Sequence, residues 1–287
     1  MKIWINGELL EKDQAKISVL DHGLLYGDGV FEGIRAYNGT IFQCQAHLDR
    51  LYASAKTIDL PIAMAREDLT EAMYETLRAN DIRDGYIRLL VTRGIGTLGL
   101  NPFECSGGSI IIIADQIALY PPEMYQNGLE VIIAEHVRIS PNMLPPAVKS
   151  MNYLNNILAN IEATKAGVGE AIMLNAAGEV AEATGDNIFI VQNGVVATPP
   201  PEAGILVGIT RKVVCGLCEK LGISLQERRI AVEELFQAEE IFLTGTAAEV
   251  IAVTKVNGRV IGEGKAGPVT LKLLKAFRDF IRRECGG

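Results

Sequence analysis

Along the first third of the chain, apolar and polar residues alternate in short runs that read as strands, among them "GVFEGIRAY" and "TIFQC". The dipeptides Asn6-Gly7 and Asn38-Gly39 fall between such runs and predict two-residue hairpin turns. The period then lengthens. "HLDRLYASAKTI" and "REDLTEAMYETLRAN" read as amphipathic helices, before "GYIRLLVTRG" and "GSIIIIA" return to strand. Strands, then helices, then strands predict an α+β domain. The stretch "DQIALYPPEMYQ" is rich in turn formers and weakly periodic, so it reads as a connection. The predicted organisation is a small α/β domain over 1–118, an interdomain loop over 119–126 and a larger domain over 127–287.

The second part opens with the strand "GLEVIIAEHVRI" and a proline-rich loop. A helix is predicted over 153–166, stopped by Gly167. The runs "EAIMLN", "NIFIVQ" and "VVATP", broken by turns at Ala177-Gly178 and Asn193-Gly194, predict a barrel or sandwich-like sheet. A helix over 209–221 stops at Gly222, the strands "EIFLTGT" and "EVIAVTKVNGRVIG" follow, and Pro268 opens the last helix.

Composition narrows the class. With 48% hydrophobic and 22% charged residues in 287, the chain is an ordinary globular protein. A net charge of -8 and a pI near 5.1 argue against nucleic acid as a partner. Apolar runs such as "SIIIIA" are too short to span a bilayer, and "MKIWINGELLEKD" does not read as a signal peptide. Five scattered cysteines suggest a reducing compartment, hence the cytoplasm. Cys215-Gly-Leu-Cys218 matches C-x-x-C, but its context "TRKVVCGLCEKLG" is helical and both thiols are expected to face a core. No metal is expected.

Five features can carry chemistry. Lys149 stands between the proline-rich loop and an amphipathic run. Glu182, in "EVAEATGDNIF", falls between a turn and a buried-looking strand, where an acid can also merely cap a turn. In "GILVGITRKVV" a strand is expected to reach Gly208 and pass into a helix, so that the N–H groups of Ile209 and Thr210 form an anion site. "FLTGTAAEV" ends a strand in small and hydroxyl residues that allow close approach to the backbone. Finally, Arg50 lies on the helix "HLDRLYASA", and Tyr86 and Arg88 share one strand face, a pairing able to hold a carboxylate or form a surface ion pair.

The sequence resembles the fold-type IV pyridoxal phosphate enzymes, and within them the branched-chain amino acid aminotransferases. The resemblance runs over nearly the whole chain and rests on "LLYGDGVFEGIRAY", "HLDRL", "YIR", "KSMNYLNN", "EATGDNIF", "GITR" and "TGTAAEV", in that order. It implies a two-domain fold whose C-terminal domain is a pseudo-barrel, with pyridoxal 5'-phosphate as cofactor. Lys149 would be the Schiff-base lysine and proton shuttle, Tyr153 would bond the ring hydroxyl, and Glu182 would pair with the ring nitrogen. Arg50, Ile209, Thr210 and Thr246 would bind the phosphate, with Gly185 also at the cofactor. Tyr86 and the Thr246-Ala247 backbone would take the substrate α-carboxylate. Phe31, Gly33 and Tyr120 would shape the side-chain pocket, Tyr26 and Leu100 would reach it from a partner subunit, and Arg88 would receive the distal carboxylate of glutamate.

The implied reaction is transamination between leucine, isoleucine or valine and 2-oxoglutarate, with the D-amino acid aminotransferases and aminodeoxychorismate lyases of the same fold as the alternative. The implied partners are small-molecule substrates, without nucleic acid or membrane, and further copies of the chain, at least a dimer with a hexamer also open.

Overall fold

The computed structural model describes residues 1–116 and 120–286, which divide by their contacts into two compact units. The first unit holds residues 1–116 with 148–152 and 281–286, and the second holds 120–147 with 153–280. The expected 118/119 boundary falls outside the described residues. The division is also less contiguous than 1–118 and 127–287, because the short segment around Lys149 is backbone-paired within the first unit.

The first unit runs β1 (Lys2–Ile5), β2 (Glu8–Glu11), α1 (His22–Tyr26), β3 (Gly29–Tyr37), β4 (Thr40–Ile41), α2 (Cys44–Thr57), α3 (Arg66–Ala79), β5 (Gly85–Thr92) and β6 (Ile110–Asp115). Its six-stranded antiparallel sheet has the order β2-β1-β6-β5-β3-β4. Asn38 and Gly39 at φ 49° and 79° turn β3 into β4, both left-handed as a tight hairpin requires. The expected strand "TIFQC" is cut to two residues because Gln43 is itself left-handed at φ 52° and starts α2. Period-2 alternation splits β3 in two. Val30, Ile34 and Ala36 join Ile87 and Leu89 of β5 in a core covered by Leu48 and Leu51 of α2 and Leu69 and Met73 of α3. Phe31, Gly33 and Arg35 lie on the opposite face with Tyr86, Arg88 and Leu90.

The second unit runs α4 (Met124–Asn127), β7 (Leu129–Ile133), α5 (Leu154–Lys165), β8 (Glu170–Leu174), β9 (Val180–Ala183), β10 (Asn187–Gln192), β11 (Val195–Thr198), α6 (Ile209–Lys220), β12 (Leu225–Glu227), α7 (Val232–Leu235), β13 (Glu240–Gly245), β14 (Glu249–Val256), β15 (Arg259–Val260) and all but the last turn of α8 (Pro268–Cys285), whose residues 281–285 fall in the first unit. Its nine-stranded mixed sheet, ordered β12-β11-β10-β13-β14-β7-β8-β9 with β15 on β14, curls as a half-barrel, in keeping with the expected pseudo-barrel. Strands β9, β10 and β13 are buried almost throughout, so a polar residue inside them must find a partner. The strand expected to lead into Gly208 is absent. Residues 205–208 belong to no strand, and side chains take the N–H groups of Leu206 and Gly208. On α6, Cys218 is buried and Cys215 half-buried. Burial, with Cys215 beside it, pushes the Cys218 thiol up to about 11, so it stays protonated. Among the described residues no helix is long and apolar enough to cross a membrane.

Candidate active site

In the first unit, Lys149 is held by its backbone. Its carbonyl accepts from Phe31 N at 3.0 Å, Met151 N donates to Gly29 O at 2.9 Å, and Lys149 N donates to Ser54 Oγ at 3.2 Å. The segment therefore extends β3 as a short antiparallel partner, bridged at Ser150 and Val30. Its amine lies 4.6 Å from the centroid of the Phe31 ring. On the same sheet face the Arg88 guanidinium lies 4.8 Å from Phe31 and 5.3 Å from Tyr86. Gly33 makes this face possible, since a Cβ there would sit 1.8 Å from the Tyr86 hydroxyl. The structure thus brings together five of the residues that the motifs single out, Lys149, Phe31, Gly33, Tyr86 and Arg88.

Arg50 is engaged by a residue that the sequence reading passed over. Glu32, fully buried in β3, accepts from Arg50 Nε at 2.7 Å and Nη2 at 2.8 Å, and from His47 Nδ1 at 2.7 Å. Burial pushes the Glu32 carboxyl up, but the charge and hydrogen bonds of Arg50, with those of His47, outweigh it and bring it to about 2. Burial also holds His47 below its ordinary value. An ionised carboxylate only accepts, so the neutral imidazole carries its proton on Nδ1. His47, Arg50 and Ser54 are spaced i, i+3, i+7, one stripe of α2 that fixes both Glu32 and the Lys149 backbone.

In the second unit, Glu182 on β9 is buried and held by three donors. Arg138 Nε lies 2.7 Å from Oε1, Leu206 N 2.9 Å from Oε2 and Asn187 Nδ2 3.3 Å from Oε2. A guanidinium at this distance stabilises the anion, and Glu182 lies within β9 rather than in a turn. Arg138 is positioned in turn by Asn155 at 3.4 Å, in the first turn of α5 beside Tyr153. Asn187 also accepts from Gly208 N at 3.1 Å, at the cap of α6. Helix α6 has no side-chain cap, so its first N–H groups, from Ile209 and Thr210 onward, have no intrahelical acceptor.

Thr246 and Ala247 form the turn between β13 and β14, and both are half-buried. A Cβ at Gly245 would meet Asp186 Oδ1 at 1.7 Å, which explains the glycine in "TGTAAEV". Tyr120 packs against the apolar core of this unit, and burial pushes its phenol up with Asp186 and Glu170 adding to the effect. Gly185 is exposed in the β9–β10 turn, where its backbone serves the buried Glu170. Tyr26 and Leu100 lie on exposed segments of the first unit, with the Tyr26 hydroxyl donating to Leu98 O at 2.6 Å.

Pyridoxal phosphate asks for an amine, an anion for its ring nitrogen and an N–H-lined cradle for its phosphate. Residues of that chemistry are present in each unit, Lys149 in the first and the cation-held Glu182 and the start of α6 in the second, and each fits the group. Thr244 Oγ1, buried without a partner among the described residues, adds an unspent hydroxyl on the strand that leads to Thr246. Glu32, His47, Arg138 and Asn187 are the supporting residues that the sequence reading missed. Only Glu32 left a trace, as a charge on the core face of an alternating strand.

Comparison with known proteins agrees with this chemistry. A protein of Methanocaldococcus jannaschii, provisionally named branched-chain-amino-acid aminotransferase, is 49% identical over 286 residues, covering 100% of this chain and 98% of its own. The crystal structure of the Escherichia coli branched-chain amino acid aminotransferase superposes with a TM-score of 0.94 at 37% identity, covering 97% of this chain and 93% of that one. The T.th. branched-chain amino acid aminotransferase in complex with N-(5'-phosphopyridoxyl)-L-glutamate gives a TM-score of 0.91 at 39% identity, with the same 97% and 93% coverage. The family described as amino-transferase class IV matches residues 29–256, and this chain belongs to it.

Proposed function

We propose that the chain transfers amino groups between hydrophobic L-amino acids (leucine, isoleucine, valine) and 2-oxoglutarate, yielding branched-chain 2-oxo acids and L-glutamate. The observation that carries this reading is the β3/β5 face beside Lys149. It combines an aromatic ring, a position without a side chain, a phenol and a guanidinium resting on rings. Such a face can receive an apolar side chain and also hold a carboxylate. The names of the relatives support the substrate class, and the glutamate adduct of the T.th. enzyme supports the second substrate.

When bound, pyridoxal 5'-phosphate supplies an aldehyde that reacts with amines and a ring that accepts the electrons released at the substrate Cα. The protein does the rest. Lys149 Nζ would carry the proton between the substrate Cα and the cofactor's C4′. Glu182, kept anionic and oriented by Arg138, Leu206 N and Asn187, stabilises positive charge at the ring nitrogen. Arg50, Thr246 and the N–H groups of Ile209 and Thr210 hold the phosphate, and Tyr153 bonds the ring hydroxyl. Tyr86 with the Thr246-Ala247 backbone takes the α-carboxylate. Phe31, Gly33 and Tyr120 shape the apolar pocket, and Arg88 meets the distal carboxylate of glutamate.

The surface of the first unit supports a homo-oligomer. Val19, Leu98, Leu100 and Phe103 are each more than 70% exposed, on segments joined through Tyr26 and Leu98. Apolar residues gathered this way mark an interface, through which Tyr26 and Leu100 serve a second copy. Five free thiols are in keeping with a cytoplasmic location. The test of the activity is a panel of L- and D-leucine, isoleucine and valine with 2-oxoglutarate as acceptor. Glutamate should form from the L-series alone; formation from the D-series would move the chain to the D-amino acid branch.

A further inference from the structure

An enzyme that takes leucine and glutamate in one pocket must hide a cation from the first and offer it to the second. Arg88 shows how the cation can be hidden. In the β3/β5 register it starts opposite Gly33, and the missing side chain there leaves room for the Tyr86 hydroxyl. The guanidinium then rests with its carbon 4.8 Å from the Phe31 centroid and 5.3 Å from that of Tyr86. Among the described residues no carboxylate pairs with Arg88. Phe31 is buried and fixed by its backbone bond to Lys149 O, so its ring is a preset surface rather than a mobile one.

A cation over an aromatic face is attracted by the negative face of the ring, and more strongly where water is excluded. The ring therefore biases Arg88 toward its folded-back position. We propose that Phe31 is a specificity-determining residue, whose ring parks the Arg88 guanidinium while an apolar side chain occupies the pocket and releases it to a dicarboxylate. The proposal rests on Arg88 as the ligand of the distal carboxylate.

The consequence is quantitative. Apolar ligands bind the parked state and dicarboxylates the extended one, so the ratio of their affinities is proportional to the parked-to-extended equilibrium. Removing the face of one ring should lower that equilibrium about three- to thirtyfold. The Lys149 amine, 4.6 Å from the same ring, contributes equally to both measurements at a fixed cofactor state and cancels in the ratio.

The experiment measures dissociation constants of two unreactive ligands, 4-methylpentanoate and glutarate, on the holoenzyme. Phe31→Met keeps an adaptable apolar side chain without a π face, and Phe31→Tyr keeps the face. Phe31→Met should lower the ratio of 4-methylpentanoate to glutarate affinity about three- to thirtyfold, with the first weakening and the second unchanged or tighter. Phe31→Tyr should leave the ratio within about twofold of the parent. Equal weakening of both ligands in Phe31→Met, or the same shift in both variants, would reduce Phe31 to pocket shape and overturn the proposal. Arg88→Gln separates this from the reading beneath it. If glutarate binds Arg88→Gln as well as it binds the parent, Arg88 is not the carboxylate ligand and both ideas fall. If glutarate is lost there while Phe31→Met leaves the ratio unchanged, only the parking role of Phe31 falls.

Discussion

Glu32 makes the acid sensitivity of the first unit predictable. The perturbation is Glu32→Gln, which keeps the shape of the side chain and removes its charge. In the folded protein the carboxyl titrates at about 2 against an ordinary 4.5. Burial works against this shift, and the charge and hydrogen bonds of Arg50, with those of His47, win. A depressed carboxyl pKa contributes stability that is complete above the unfolded value near 4.5 and is lost as pH falls toward 2. The difference amounts to about 3 kcal/mol. His47, held below its ordinary 6.5, acts in the same direction, because the folded state resists its protonation and loses stability below that pH. The variant should be less stable by about 3 kcal/mol at pH 7, within the range for breaking a buried ion pair. The gap should narrow to roughly half or less by pH 3. Trp4, the only tryptophan and buried in the core of the first unit, gives a local signal in a protein whose two units need not unfold together. Urea midpoints from Trp4 fluorescence at stepped pH supply the test. A gap that stays constant from pH 7 to 3 would refute the reasoning, because Glu32 would then not be the group that titrates.

Three further expectations concern the reaction. Lys149→Ala should abolish transamination without unfolding the protein, and borohydride should fix the cofactor on the peptide containing Lys149; a label on Lys56 or Lys165 would end that assignment. Glu182→Gln should retain the cofactor but slow turnover roughly a hundredfold or more. Its amide NH2 would have to face one of the donors that now meet the carboxylate, and near-normal turnover would reduce Glu182 to a structural role. Arg88→Gln should slow the glutamate half-reaction roughly 30- to 150-fold, for a loss of about 2–3 kcal/mol of carboxylate pairing, and leave leucine within a few-fold. Stopped-flow measurement of each half-reaction decides it, and equal losses would make Arg88 structural.

The regular elements were legible where local chemistry dictates them. Left-handed asparagine and glycine at 38–39 and 193–194 admit few backbones other than a tight turn, and Gly167 and Gly222 stop α5 and α6 with φ at 76° and 65°. What the pattern missed depended on partners far along the chain. The apolar run before Gly208 reads as a strand, yet its N–H groups are taken by Glu182 and Asn187, side chains on β9 and β10. Residues 149–151 carry no strand pattern, and they pair with β3 because the backbone of Gly29 and Phe31 is available to them. The short helix α1 is made by a local cap, Asp21 accepting from Gly23 N at 2.7 Å, in a stretch too short to show a period.

The same distinction separates the buried carboxylates. Asp21 caps α1 and accepts from Thr92, Glu170 accepts from the N–H groups of Ala171 and Thr184, and Glu240 accepts from Val269 and Thr270 at the start of α8. Their donors are backbone and hydroxyl groups that the turns and helix ends already present. Glu32 and Glu182 are met by guanidinium groups instead. A buried ion pair desolvates two charges and often stabilises a fold no better than apolar residues of the same volume. Stability alone therefore does not explain a guanidinium at either place, whereas the proposed cofactor, which carries its own charge, would. Arg50 and Glu182 lie in motifs that assign them a role, and Glu32 lies in "LLYGDGVFEGIRAY" without one, whereas Arg138 lies in none of the motifs. Glu32 could still have been found, because a charge in register with Val30, Ile34 and Ala36 breaks the core face of a strand. Arg138 follows the end of β7, where no period applies, and only the folded chain reveals it.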